Sequence, residues 1–276
     1  MRYILLSLVT AVVTVSIVAA LMFMLQHALI YHPRQYPAGF ERLLPRGTIQ
    51  LASTTAAGQQ VAFYVPPRSQ ATLPERIWVA FSGNASVALD WLYFAEQQPN
   101  DSDAFLLVDY PGYGLSQGRP DIASTRASTE AAVAALAAHL PLAAVDLEPR
   151  LCVLGLSLGC AAGLDFAAGH PVQRIALLAP FTSMREVAAA HFSRPASWLL
   201  REDYDNRARL AELLARRPPP RIAIFHGTAD TLIPIRMGRT LAESAPGMIE
   251  FFPIEHATHD TIYGDAIAPL GEWMKR

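Results

Sequence analysis

Arg150-Leu151-Cys152-Val153-Leu154-Gly155-Leu156-Ser157-Leu158-Gly159-Cys160 is the stretch from which the rest of the chain is read. Leu151 to Leu154 form a short, continuous apolar run, as in a strand buried on both faces of a parallel sheet. The motif Gly155-Leu156-Ser157-Leu158-Gly159 follows, and Cys160 to Ala168 is an alanine-rich helical stretch. Strand, G-x-S-x-G and helix in that order form a nucleophile elbow. A serine at the tip of such a turn takes a strained backbone, and strand and helix then pass so close that glycine is needed beside it. The following helix aims its free N–H groups and positive dipole end at the place where an oxyanion would form. By itself, G-x-S-x-G is also what glycine and serine produce by chance in a turn; its flanks carry the reading.

On either side of the elbow the pattern alternates. Thr48–Ser53 and Gln60–Val65 flank a turn and read as a hairpin. Strands are expected at 77–81, 104–108, 174–179, 221–225 and 249–252. Helices are expected at about 87–97, 125–140 and 235–244, with a last one from Ile262. Such alternation specifies a mostly parallel sheet covered on both faces, with its site at the carboxyl ends of the strands.

Those strand ends carry the candidate partners of Ser157. Phe81-Ser82-Gly83-Asn84-Ala85 is a glycine turn that aims a backbone N–H, that of Asn84, toward the elbow. Together with the N–H of Leu158 it would make an oxyanion hole. Asp109-Tyr110-Pro111-Gly112-Tyr113-Gly114 lacks the Lys-Ser or Lys-Thr of a phosphate loop and reads as a shaped loop bordering the site. His226-Gly227-Thr228-Ala229-Asp230 places Asp230 after the serine, in the Ser…Asp…His order, where Asp109 is not. His226 reads as strand-end packing. The base belongs in Glu255-His256-Ala257-Thr258-His259-Asp260, where spacing alone does not separate His256 from His259. Asp260 could equally cap the last helix. A His-x-x-His metal site lacks further ligands nearby, so no metal or cofactor is called for.

The amino terminus is the one break in composition. Tyr3 to Leu25 carries no charge, long enough to span a hydrocarbon core as a helix, and it ends on the bulky Leu21-Met22-Phe23-Met24-Leu25 rather than on a cleavable small-residue site. The expected organisation is therefore a transmembrane anchor over 3–25, a Pro/Gly linker over 26–46 and a folded domain over 47–276, with a cap segment at about 181–217. Ser7, Thr10 and Thr14 share a stripe of that helix, where such hydroxyls bond their own carbonyls more readily than a second helix. Arg2 argues for an inside amino terminus and Arg34, Arg42 and Arg46 against it, with the short tail favouring a domain outside the cytoplasm. With 17% charged residues, 52% hydrophobic residues and a formal net charge of −2, there is no electrostatic case for nucleic acid. Cys152 and Cys160 read as core residues.

Taken together, Ser82-Gly83-Asn84-Ala85, the 109–114 loop, the elbow, Ala179-Pro180-Phe181-Thr182-Ser183-Met184 and His226–Asp230 resemble the α/β-hydrolase fold. Within it, they are similar to the membrane-anchored Bem46-like proteins and the alpha/beta-hydrolase-domain 13 and 17 type of serine hydrolase. The resemblance implies Ser157 as nucleophile, Asp230 as acid and His259, followed by Asp260, as base. One departure is visible: Ser82 stands where that group commonly has His-Gly, which alters the support of the oxyanion loop. The implied chemistry is hydrolysis of a carboxylic ester or thioester through an acyl-enzyme, on a small-molecule or lipid-like acyl substrate. Phe192, Trp198, Leu199 and Leu200 either line an acyl channel or pack the cap. Two other functions fit the residues: a serine aminopeptidase, which would want acids such as Glu255 and Asp260 near the site, and a membrane-tethered interaction domain without turnover.

Overall fold

The computed structural model describes residues 2–69, 73–141, 144–191, 197–198 and 200–276. An eight-stranded sheet of order β1-β2-β4-β3-β5-β6-β7-β8 organises the chain. Its strands are β1 (Ile49–Thr55), β2 (Gly58–Val65), β3 (Ile77–Phe81), β4 (Ala104–Val108), β5 (Leu151–Leu156), β6 (Arg174–Leu178), β7 (Arg221–Gly227) and β8 (Ile249–Ile254). β1 and β2 form the expected antiparallel hairpin, and β2 runs antiparallel to β4. From β4 to β8 every neighbour is parallel. β3 runs between β4 and β5, so the chain leaves it first to one side and then to the other. The carboxyl ends of β3 and β5 are the switch point at which sites form in such sheets.

Every residue of β3 and β4 is buried, and period-two alternation divides them between two cores. Ile77, Val79 and Phe81 face one side, packed under the helices α3 (Ile122–His139), α4 (Leu158–Gly169), α6 (Asn206–Leu214) and α7 (Ile235–Glu243). Trp78 and Ala80 face the other, under α2 (Leu92–Gln97) and α8 (Ile267–Lys275). Each fully buried Phe, Leu or Val stabilises the fold by about 1.5–3 kcal/mol. The shortest helices need that packing most. Cys152 and Cys160 are free, buried thiols in these cores.

Boundaries moved where caps decide them. α3 starts at Ile122 because Asp121 accepts from Ser124 N at 2.6 Å while its own N–H bonds Ser124 Oγ at 3.0 Å. β8 runs through Pro253 to Ile254, which an edge strand tolerates. The stretch 87–97 opens as a 3₁₀ turn, Ala88–Trp91, before α2. The stretch expected as a cap, 181–217, contains α5 (Met184–His191) and α6, and its two sides meet at an antiparallel bridge between Ser183 and Asp205.

The amino-terminal segment differs from its expected form. α1 (Arg2–Ile30) is one helix of 29 residues, continuing five past the apolar stretch. Among the described residues no helix is long and apolar enough to cross a membrane. The side chains of Leu5, Val12, Val15, Val18, Ala19, Leu21, Met22 and Leu25 lie outside that description. Thr10 Oγ1 donates to its own helix at Leu6 O (2.9 Å), the local bond expected of such a hydroxyl. Of the stretch expected as a linker, 26–46, residues 26–30 belong to α1 and the rest lies against the body as a strap, because its aromatics have somewhere to go. Tyr31 and Phe40 are buried, Tyr36 stacks on Phe40, and Gly114 N donates to Arg34 O at 2.8 Å.

Candidate active site

Ser157 sits at the tip of the β5–α4 turn with φ 54° and ψ −115°, a conformation costing a non-glycine residue about 1–3 kcal/mol. Its N–H donates to Leu178 O (2.8 Å) and its carbonyl accepts from Cys160 N (3.0 Å), which holds the strain in place. The flanking glycines are obligatory. A Cβ on Gly159 would lie 2.1 Å from Phe81 O, and one on Gly155 would lie 2.6 Å from Gly159 O.

His259 and Asp230 converge on this serine from chain positions 102 and 73 residues away. Ser157 Oγ lies 2.9 Å from His259 Nε2, and His259 Nδ1 lies 2.8 Å from Asp230 Oδ2. With the Nδ1 proton directed at the carboxylate, Nε2 is the acceptor for the serine hydroxyl. The second oxygen of Asp230 accepts from Leu232 N (3.0 Å) and Ile233 N (2.8 Å), and the carboxylate is fully shielded from solvent. The geometry thus separates the two late histidines. His256 is exposed, at φ 62°, with its N–H spent on Thr228 Oγ1 (2.9 Å). The turn beginning at Ile262 is held by Thr258 O at 3.1 Å, and Asp260 borders the hollow beside His259 instead of capping it.

His226 packs at the end of β7, fully buried, and its Nε2 donates to Ile233 O at 2.8 Å. Burial pushes its pKa below the usual histidine range, so it stays a neutral support of the loop carrying Asp230. Gly238 makes room for it, since a Cβ there would meet Nδ1 at 2.3 Å.

The loop Ser82–Ala85, where Ser82 stands in place of the His expected from the resemblance, is held in part from the 109–114 loop. Ser82 Oγ donates to Val87 O (3.0 Å), and Tyr110 OH donates to Ser82 O (2.6 Å). Tyr113 OH donates to Asn84 Oδ1 (2.8 Å). Asp109 is buried and accepts from Ala88 N (2.9 Å) and Tyr36 OH (2.8 Å). Its pKa is raised to about 6, chiefly by burial. It therefore pins the loop rather than facing His259. The N–H of Leu158 is at the first position of α4, where no intrahelical carbonyl is available to it.

Two hollows meet at Ser157, Asn84 and Leu232. One, of about 450 Å³, is mainly apolar, with Leu29, Ile30, Phe181, Met184 and Val187 on its walls. The other, of about 410 Å³, is more polar and contains His259, Asp260, Ser86 and Tyr263. Of the cap residues expected to line a channel, Leu200 borders the apolar hollow, Trp198 is 76% exposed and borders another, and Phe192 and Leu199 lie outside the described residues. Sequence reasoning missed α1 as a wall of this site. The available signal was an apolar helix continuing past residue 25 and followed by Tyr31, Tyr36 and Phe40, aromatics that need a surface to cover.

No family model matches the chain. It is 28% identical over 242 residues to Rv2307c of Mycobacterium tuberculosis, covering 86% of this chain and 82% of that one. It is 26% identical over 171 residues to human alpha/beta hydrolase domain-containing protein 17B, covering 61% of this chain and 55% of the human one. Among solved structures, the Pyrococcus furiosus esterase Pf2001 superposes with a TM-score of 0.64 at 14% identity, over 90% of this chain and 97% of the esterase. The Exiguobacterium antarcticum esterase EaEST gives 0.62 at 15% identity, over 83% of this chain and 100% of its own.

Proposed function

We propose that this chain, which belongs to the α/β-hydrolase superfamily, is a serine hydrolase that cleaves a carboxylic ester or thioester bearing an acyl chain. One observation carries the reading: the continuous line from Ser157 Oγ through the His259 ring to the buried Asp230 carboxylate, with links of 2.9 and 2.8 Å. Ser157 Oγ attacks the carbonyl carbon as its proton passes to His259 Nε2. Asp230 holds the ring in the tautomer that can accept it and stabilises the resulting imidazolium. The backbone N–H groups of Leu158 and Asn84 stabilise the oxyanion, a contribution of about 3–4 kcal/mol per donor. His259 then gives its proton to the leaving alcohol or thiol. Water, deprotonated by the same nitrogen, attacks the acyl-serine, and the carboxylic acid leaves as Ser157 recovers its proton.

The two hollows support an asymmetric substrate, with the acyl chain on the apolar side and a more polar leaving group beside His259. For a peptidase reading, Asp260 borders the polar hollow, whereas Glu255 is exposed and turned toward Thr228. One acid is thin recognition for a free amine, and the ester reading stands ahead of it. We also place the protein on a membrane through α1. Residues 3–25 carry no charge, and the described side chains Ile4, Leu8, Val13, Ile17 and Met24 are 50–76% exposed, more apolar surface than a soluble helix presents to water.

The test is the full chain in detergent micelles, treated with a fluorophosphonate probe beside Ser157→Ala. It is then assayed on p-nitrophenyl esters of increasing chain length and on aminoacyl amides. Labelling that disappears in the variant, with ester turnover exceeding amide turnover, is the expected result. A folded wild-type chain that neither labels nor turns over would leave the interaction-domain reading in its place.

A further inference from the structure

We infer that the last turn of α1 is a working part of the active site, holding the Asn84 loop in position and walling the acyl pocket. This rests on the hydrolase reading above and names a role within it that the apolar helix does not need for anchoring. The carbonyls in the last turn of a helix have no partner within it, and here the Asn84 side chain supplies one. Asn84 Nδ2 donates to Ile30 O at 2.5 Å, and Asn84 Oδ1 accepts from His32 N at 2.9 Å. The same oxygen accepts from Tyr113 OH (2.8 Å) and from Ala85 N (3.0 Å), the residue that carries the loop's left-handed kink at φ 56°. The carboxamide of Asn84 is thus shared between α1 on one side and the 109–114 loop on the other. Its own backbone N–H is the proposed oxyanion donor, so the position of that donor depends on where α1 ends.

α1 is held at this end by more than one contact. Gln26 Oε1 accepts from Arg201 N (2.7 Å), and the Arg201 guanidinium lies over the Phe23 ring at 3.9 Å. Tyr31 is buried beside Leu158, Phe181 and Ile233, and its hydroxyl donates to Glu202 at 3.3 Å. Leu29 and Ile30 then face the apolar hollow that opens from Ser157. An acyl chain on Ser157 would lie against the end of the helix whose other end carries the exposed apolar side chains. Asn84 acts here as a positioning residue through its side chain, and Leu29 as a determinant of acyl length.

The full chain in detergent micelles, as wild type, Asn84→Ala and Leu29→Trp, is assayed on p-nitrophenyl acetate and p-nitrophenyl octanoate. Asn84→Ala should lower kcat on the acetate about 10–100-fold with KM changed less than about threefold, as expected for a donor displaced from the oxyanion. Leu29→Trp should lower the octanoate-to-acetate ratio of kcat/KM about tenfold, the scale of lost apolar contact in a pocket. A folded Asn84→Ala chain with wild-type kcat, or a Leu29→Trp chain with an unchanged ratio, overturns the inference. If Asn84→Ala does not fold, the Leu29→Trp ratio decides alone. A wild type that labels with fluorophosphonate while both variants match it defeats this inference and leaves the hydrolase reading standing. A wild type inert to the probe and to both esters defeats both.

Discussion

Replacing Asp230 by asparagine isolates the electrostatic part of the site from its folding. The carboxylate takes two backbone N–H groups, from Leu232 and Ile233, on Oδ1 and the His259 ring on Oδ2, with no exposure to water. An asparagine of the same shape keeps its oxygen on the two amides, because the reverse flip would set an NH₂ against two buried donors at a cost of about 1–3 kcal/mol each. Its NH₂ then faces Nδ1 of His259. To accept from it, the ring must move its proton to Nε2, where it points at the Ser157 hydroxyl and removes the base. Loss of the correct tautomer costs about 10⁴-fold in kcat, or about 5 kcal/mol of transition-state stabilisation. The melting temperature should change by only a few degrees, since every hydrogen-bonding position is still filled. The assay is steady-state hydrolysis of a p-nitrophenyl ester with a thermal melt of the same sample. An Asp230→Asn chain that folds and keeps a tenth or more of wild-type kcat would refute the assignment of Asp230, and with it the reasoning that the ring's tautomer is set there.

Gly159→Ala places a Cβ 2.1 Å from Phe81 O, backbone against backbone with no side chain able to yield, so a loss of about 3 kcal/mol or more is expected in urea titration; a near-native midpoint would show that the strand–helix approach is looser than described. Asp109, with its pKa raised to about 6 in the fold from 3.8 unfolded, holds its proton more tightly when folded. Its effect on stability is fully favourable below about pH 4 and declines by up to about 3 kcal/mol as pH rises to 6; Asp109→Asn should flatten that slope in melts taken across the interval. Flotation of the full chain with phosphatidylcholine vesicles should carry the protein upward, and a Leu8→Lys, Val13→Lys, Ile17→Lys triple variant should stay behind; equal flotation would argue against anchoring through α1.

The fold was legible because each of its decisions is local. A run such as Ile77–Phe81 has no polar position to leave in water, which makes it an interior strand of a parallel sheet wherever its neighbours lie. Gly155 and Gly159 announce a close approach of backbones, and the strained turn that they permit puts Ser157 at its tip. That Ser157, Asp230 and a late histidine would come near one another was an expectation of the same kind, since strand ends of one sheet share an edge, and in the fold they lie within hydrogen-bond reach. What remained open was which atoms meet. His256 and His259 are three residues apart in a loop, and only the backbone path after β8, with His256 in a left-handed conformation, turns one ring toward Ser157 and the other toward solvent. The role of 26–46 was likewise beyond local reading. Prolines and glycines describe a segment without regular structure, and they do not say whether it hangs free or is strapped down. That depended on hydrogen bonds between residues more than fifty positions apart, Ile30 and His32 with Asn84, and Tyr36 with Asp109, and such pairings exist only once the sheet has brought its loops to one end.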